Sequence, residues 1–227
     1  RNEMALIDTH GGPTLYGDQG IAYIFKGKWS LVRALFAIPG FPQLFRFAYR
    51  TLAFNRFHIA TPSTKVVPCD CAPERPAVYR GAYLAWSYFW AVLVTALFGA
   101  GLAAYFPEVS AAEGAIQMLL IAGTGWLLQL LIAALFLRNR RDDYPDHLAT
   151  IMRKGVMVLL PATLLLLVFG PVPWWLPALS VLASSGLMLR QHVRRVRFLH
   201  LSTAWNWSWF LSLQTTAALW VLYFHIL

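Results

Sequence analysis

Charge is scarce in this chain. Only 13% of its 227 residues are Asp, Glu, Lys or Arg, against about 25% in an ordinary soluble domain. With a hydrophobic share of 58%, that shortage excludes a conventional soluble protein and points to a bilayer. Acid is scarcer still, ten Asp and Glu facing nineteen Lys and Arg. The formal charge of +9 does not indicate nucleic acid, because the cations fall between apolar runs. Cysteine is nearly absent; two residues make no disulfide framework. No signal peptide opens the sequence, which begins on Arg1, and the natural protein is expected to extend further upstream. Ionisable side chains are missing from the apolar runs except for His225, which lies near the far interface. Such residues mark ion and proton routes, so an ion-coupled transporter or pump is disfavoured, and no paired-His pattern supports haem within a bundle.

What the chain does have is five apolar runs, at 82–105, 115–137, 156–170, 174–189 and 204–227. Crossing a bilayer takes about 20 residues, so the first, second and fifth qualify by length. The third and fourth are shorter and are joined by Gly170-Pro171-Val172-Pro173, as two short spans or a re-entrant hairpin. The cations decide for two spans. Residues 1–81 carry ten Lys or Arg, 138–154 carry five and 190–198 carry four, while 106–114 and 170–173 carry none. Five spans with the N-terminal side inside put every cation on the cytoplasmic face, whereas a hairpin would leave non-helical backbone in lipid. The predicted protein is thus a multi-pass protein of a bacterial inner membrane, its N-terminal side cytoplasmic and its C-terminus outside. Gln117, Gln129, Asn206 and Gln214 are expected to glue helices together. Gly99-Ala100-Gly101 and Gly123-Thr124-Gly125 offer close helix approach, and Pro161 predicts a kink. Trp174-Trp175 and Trp205, Trp207 and Trp209 read as belts at opposite interfaces.

Ahead of the runs, residues 1–60 read as a small water-facing piece. Met4 to Ile7 predicts a short strand, and Asp8 to Pro13 a tight turn. Asp18 is the expected N-cap of a helix over Gln19 to Phe25. A second helix runs Trp29 to Ile38, stopped by Pro39-Gly40, and a third covers 42–57. So small a piece cannot bury a core of its own and is expected to be completed by more chain or to lean on another surface. Arg46 and Arg50 share one face of the third helix, either as a solvated basic face or as an interfacial one lying on anionic headgroups. The loop Arg138 to His147 reads as a solvated salt-bridge network. Gln191 to Arg197 reads as a basic helix extension gripping anionic lipid. The lipid-interface candidates are therefore Arg46, Arg50, Arg194, Arg195 and Arg197.

Residues 61–81 form a Pro/Cys linker that holds Cys69-Asp70-Cys71. Three readings stand: reduced thiols in a cytosol-facing linker, a strained redox pair, or half of a tetrahedral metal set. As redox residues Cys69 and Cys71 are weak candidates, since the neighbouring carboxylate of Asp70 raises rather than lowers a thiol pKa.

The succession Asp8-x-x-Gly11-Gly12, Gly17-Asp18-x-x-Ile21-Ala22, Ile38-Pro39, Ala48-Tyr49-Arg50 and Asn55-Arg56-Phe57 resembles the C-terminal half of the DCC family. These are thioredoxin-like proteins named for an Asp-x-x-Cys-x-x-Cys motif. Pro68 to Pro73 and Tyr79-Arg80 resemble the linker of members that carry a membrane domain. The resemblance covers roughly residues 4–83 and implies a thiol–disulfide oxidoreductase. The motif that names the family is not among these residues, so the catalytic half is expected upstream of Arg1 or has been lost. The combined expectation is a mainly α protein, a polytopic membrane helix bundle of about five transmembrane helices over 82–227, preceded by a partial thioredoxin-like α/β domain over 1–60. No cofactor, no metal and no nucleic acid are expected; the expected partners are anionic headgroups and another membrane protein. The alternative function is a non-catalytic accessory subunit of a larger membrane complex.

Overall fold

The computed structural model of the protein describes residues 5–9, 11–60, 76–137 and 143–226. It is mostly helical, and it divides into two compact units, Arg1–Tyr83 and Leu84–Leu227.

Unit 1 starts with an antiparallel hairpin of β1 (Ala5–Leu6) and β2 (Leu15–Tyr16), with Ala5 opposite Tyr16 and Leu6 opposite Leu15. Helix α1 (Asp18–Lys28) follows at once and packs on the hairpin through Gly20, where an added Cβ would stand 3.2 Å from the Leu6 Cβ. Asp18 is not the N-cap. Gly17, at φ +54°, takes that place without a side-chain bond, which frees the Asp18 carboxylate to accept from Arg46 Nε at 3.1 Å. Helix α2 (Ser30–Ala37) turns at Gly40, φ +87°, into α3 (Phe41–Phe54), and a short α4 (Arg56–Ile59) follows. Phe36 packs edge-on against Phe41 and Phe45. Asn55, buried between α3 and α4, donates to the carbonyls of Thr51 at 2.8 Å and Tyr79 at 3.0 Å. Tyr79, in the first turn of α5 (Ala77–Leu102), stacks on Phe54 and leans on Phe47. Yet α2 and α3 bury no side chain fully.

In unit 2, α5 continues to Leu102 and ends in a 3-10 turn, Ala103–Tyr105. The Tyr105 hydroxyl donates to the Val172 carbonyl. Helix α6 (Ala111–Phe136) opens on a capping box, in which Ser110 Oγ accepts from the Glu113 amide and the Glu113 carboxylate accepts from the Ser110 amide. Then come α7 (Asp143–Phe169), α8 (Trp175–Phe198) and α9 (Ala204–Ile226). The main pairings are α6 with α9 and α7 with α8. One core gathers Trp126, Leu148, Ile151, Leu199 and Trp209; two smaller ones join α5 to α7 through Val94 and Val156 and through Phe98, Ala162 and Leu166.

Among the described residues three helical segments are long and apolar enough to cross a membrane: Ala77–Tyr105, Ala111–Phe136 and Asp143–Phe169. Helices α8 and α9 are long enough but less apolar, α8 because of its arginines and α9 because of its Trp, Ser, Thr and Asn. The larger departure from the sequence reading is α7. It begins at Asp143, so residues 143–147 of the solvated loop expected over Arg138 to His147 are instead helix, with Tyr144, Asp146 and His147 buried, while residues 138–142 lie outside the described ones. Asp143 and Asp146 sit in its first turn, where the helix dipole favours negative charge.

Candidate functional site: a buried polar node and a basic helix end

Four helices send polar side chains to one buried point. Gln129 comes from α6, Tyr144 from α7, His192 from α8, and Asn206, Ser208 and Ser212 from α9. Gln129 Nε2 donates to the Tyr144 hydroxyl oxygen at 2.8 Å. Gln129 Oε1 accepts from Ser208 Oγ at 3.0 Å and Ser212 Oγ at 3.1 Å. The Tyr144 oxygen lies 2.8 Å from His192 Nε2, and His192 Nδ1 lies 3.1 Å from Asn206 Oδ1. These contacts fix the protons. Tyr144 already accepts from Gln129, so its own hydrogen goes to Nε2, and Nδ1–H donates to Asn206. This tautomer is assigned from the hydrogen-bond network, and it makes His192 neutral. Burial pushes the imidazole down to about 4, its hydrogen bond to Asn206 opposing that and Arg195 adding to it.

Aromatic rings wall the node. Trp209 stacks on His192 with centroids 4.8 Å apart, Trp205 leans on Tyr144 at 5.4 Å, and Trp126 meets Trp209 edge-on at 5.9 Å. Of the tryptophans read as an interfacial belt on α9, Trp207 points outward at 66% exposure while Trp209 is 3% exposed. These hydrogen bonds run from helix to helix, so the node sets the rotation of four helices at once, while Trp209 Nε1 in its wall is buried with no hydrogen-bond partner among the described residues. Gln129 and Asn206 were readable as glue. Tyr144 and His192 were missed, although Tyr144, Leu148, Ile151 and Gly155 recur at helical spacing.

Beside the node lies a basic helix end. Gly155 on α7 has no side chain to hold α8 away, so Met188 packs against it, and its carbonyl accepts from Ser184 Oγ at 2.9 Å. Arg153 and Lys154 immediately precede that glycine; Arg190, Arg194, Arg195 and Arg197 close α8. Arg194 and Arg197 are exposed. Arg195 is not a lipid-facing residue: it is 1% exposed and donates to Gln191 Oε1 at 2.6 Å. It shares the inward stripe of α8 with His192, Val196 and Leu199.

The remaining sequence candidates separate widely. Arg46 pairs with Asp18 at 3.1 Å while its side chain stays 52% exposed, an arrangement worth roughly 0–1 kcal/mol. Arg50 Nη1 lies 3.5 Å from the Tyr79 hydroxyl. Cys69 and Cys71 fall outside the described residues. Among the described residues no group of three His, Cys, Asp or Glu side chains could hold a metal ion.

No family model, curated protein or solved structure matches this chain.

Proposed function

We propose that this chain is the membrane-anchored part of a DCC-type, thiol–disulfide oxidoreductase-like protein. Unit 1 is a partial thioredoxin-like domain on the cytoplasmic side, and α5 to α9 cross the inner membrane five times. The observation that carries this reading is the surface of unit 1. Leu31 is 71% exposed, Tyr23 67%, Leu44 62% and Trp29 57%, while β1, β2 and α1 form the start of an α/β layer with little core beneath it. Side chains of this kind are covered in a stable domain, and the rest of a thioredoxin-like fold would cover them. The segregation of Lys and Arg supports the topology.

The natural protein, purified at full length, is expected to catalyse thiol–disulfide exchange. The Cys69→Ser, Cys71→Ser double variant is expected to match the parent rate, since those thiols sit in a linker and not at a helix start. No turnover by the natural protein would refute the oxidoreductase reading; loss confined to the double variant would make the linker pair catalytic.

A second reading is favoured by the node itself. Its hydrogen bonds tie four helices to one another, as suits a non-catalytic accessory subunit whose bundle packs on partner helices. The two readings share one topology. Single-cysteine labelling in intact cells is expected to find a thiol placed at Glu108 reactive from outside and one placed at Arg194 protected; equal labelling of both would overturn the orientation.

A further inference from the structure

We propose that a cavity at the Glu108 end of the bundle binds an aminophospholipid, with the upper part of an acyl chain on its apolar wall and the primary ammonium of the head at Glu108 and Gln117. The cavity has a volume of about 380 Å³, inside the range of about 300–1,000 Å³ usual for ligand clefts. The proposal rests on the membrane reading above and names one lipid for the end of the bundle that lacks Lys and Arg.

The cavity is built by α5, α6, α9 and the turn between the first two. Its floor is the crossing of α5 and α6, where Gly99 and Gly114 bring the two backbones together. A Cβ on Gly114 would stand 2.6 Å from the Gly99 carbonyl oxygen and 2.9 Å from the Ala103 Cβ, and all three residues are buried. Phe224 of α9 lines one side, and Val221, one turn before it, is exposed at the mouth. The turn that bears Glu108 is held on both flanks. The Val109 amide donates to the Phe106 carbonyl at 2.9 Å, spanning Pro107 and Glu108, and proline fixes φ at the second position of such a turn. Before it Tyr105 is tied to Val172, and after it the capping box of Ser110 and Glu113 starts α6. The backbone under Glu108 is therefore in place before a ligand arrives, which lowers the cost of binding one.

Charge selects the head. Glu108 and Gln117 both line the cavity, and neither side chain bonds to another described residue. From Gly81 to Leu137 and from Phe198 to Leu227 the chain has no Lys or Arg, and every lining residue falls in one of those stretches. A carboxylate at the mouth of an apolar cleft, with no Lys or Arg in the surrounding wall, favours a cationic ligand. A primary ammonium has three N–H donors, enough for the carboxylate and the Gln117 Oε1 together. The quaternary head of phosphatidylcholine has none, and phosphatidylglycerol brings net negative charge. Place selects the lipid. The cavity lies between the end of one helical segment of membrane-crossing length, Ala77–Tyr105, and the start of the next, Ala111–Phe136. Its mouth therefore stands at an edge of the bilayer, where heads meet the first acyl carbons.

The test titrates short-chain phospholipids into the full chain in mild detergent, with thermal unfolding followed by tryptophan fluorescence. Phosphatidylethanolamine is expected to raise the midpoint, because a ligand bound only by the folded state stabilises it. Its half-saturation is expected at a concentration roughly fivefold below that of phosphatidylcholine. Phosphatidylglycerol, and glycerophosphoethanolamine with the same head but no chains, are expected to give no rise. Glu108→Gln keeps the size of an exposed side chain and is expected to bring phosphatidylethanolamine to the level of phosphatidylcholine. Val221→Trp fills the mouth and is expected to abolish the rise. Glu113→Gln, at the same end but engaged with Ser110, is expected to keep the preference, since Gln also serves a capping box. Each variant's midpoint without lipid is its own reference, so lost stability is not read as lost binding. The proposal is overturned if phosphatidylcholine or phosphatidylglycerol matches phosphatidylethanolamine, which would mean that any chain fills the cavity. It is also overturned if glycerophosphoethanolamine gives an equal rise, or if Glu108→Gln or Val221→Trp keeps the parent's preference. Carbonate extraction of cell membranes reads the membrane assignment separately: a chain that washes off fails that assignment, while the detergent titration still decides the site.

Discussion

Replacing Gln129 by Leu is expected to destabilise the helix bundle by about 2–4 kcal/mol, as measured by reversible unfolding in mild detergent. The volume change is small, so the loss is one of hydrogen bonding. Leu removes the acceptor for Ser208 and Ser212 and the donor to Tyr144. Ser212 keeps a second acceptor, the Ser208 carbonyl at 2.5 Å, and Tyr144 keeps His192, which holds the effect below that of three orphaned groups. Gln214→Leu is the matched control: its side chain is exposed, and the change is expected to stay within about 0.5 kcal/mol. Adding Ser208→Ala and Ser212→Ala to Gln129→Leu should recover part of the loss, because groups left without a partner cost more than groups removed together. Equal effects of Gln129→Leu and Gln214→Leu would show that the node does not hold the bundle.

Gln129 and Gln214 also show how far the sequence could be read. Both are amides within apolar runs, and composition alone assigns both to helix glue. Only the rotation of α6 against α9 distinguishes them, and long apolar helices with no polar face carry little sequence record of their rotation. The hairpin of unit 1 and the helices through α3 were legible because turn residues and helix stops punctuate them. The apolar runs were legible for the same reason that α5, α6 and the second half of α7 are helices at all. The first three turns of α7 were not. Asp143, Asp146 and His147 look like loop residues one at a time, and only the stripe of Tyr144, Leu148, Ile151 and Gly155 marks them as helix. Arg195 was misplaced for a related reason. A run of arginines reads as a solvated face, yet a helix turns one of them inward every few residues. The cysteines, Cys69 and Cys71, lie outside the described residues.

Glycine 125 sets the second large effect. Gly125→Ala is expected to destabilise the bundle by about 1–3 kcal/mol, whereas Gly123→Ala, two residues away on the same helix, is expected to be neutral or to stabilise it by up to about 1 kcal/mol. A Cβ on Gly125 would stand 2.7 Å from Leu213 Cδ2, 2.8 Å from Thr216 Oγ1 and 2.9 Å from Leu213 Cα. The side-chain atoms could turn away, but the Leu213 backbone could not, so α9 would have to move off α6. That shift would also stretch the bonds from Gln129 to Ser208 and Ser212, one turn further along the same helix pair. Nothing lies within 4 Å of a Cβ built on Gly123, so alanine there only removes the conformational freedom that makes glycine a poor helix former. Between them Thr124 accepts from Trp220 Nε1 at 3.1 Å, a further tie from α6 to α9 that Gly123→Ala leaves in place. The sequence presents the two glycines as one close-approach motif, and the structure gives that role to Gly125. The two variants are compared by thermal unfolding in the same detergent. If both shift the midpoint alike, α6 and α9 do not meet at Gly125, and the four-helix node that depends on their register is misplaced as well.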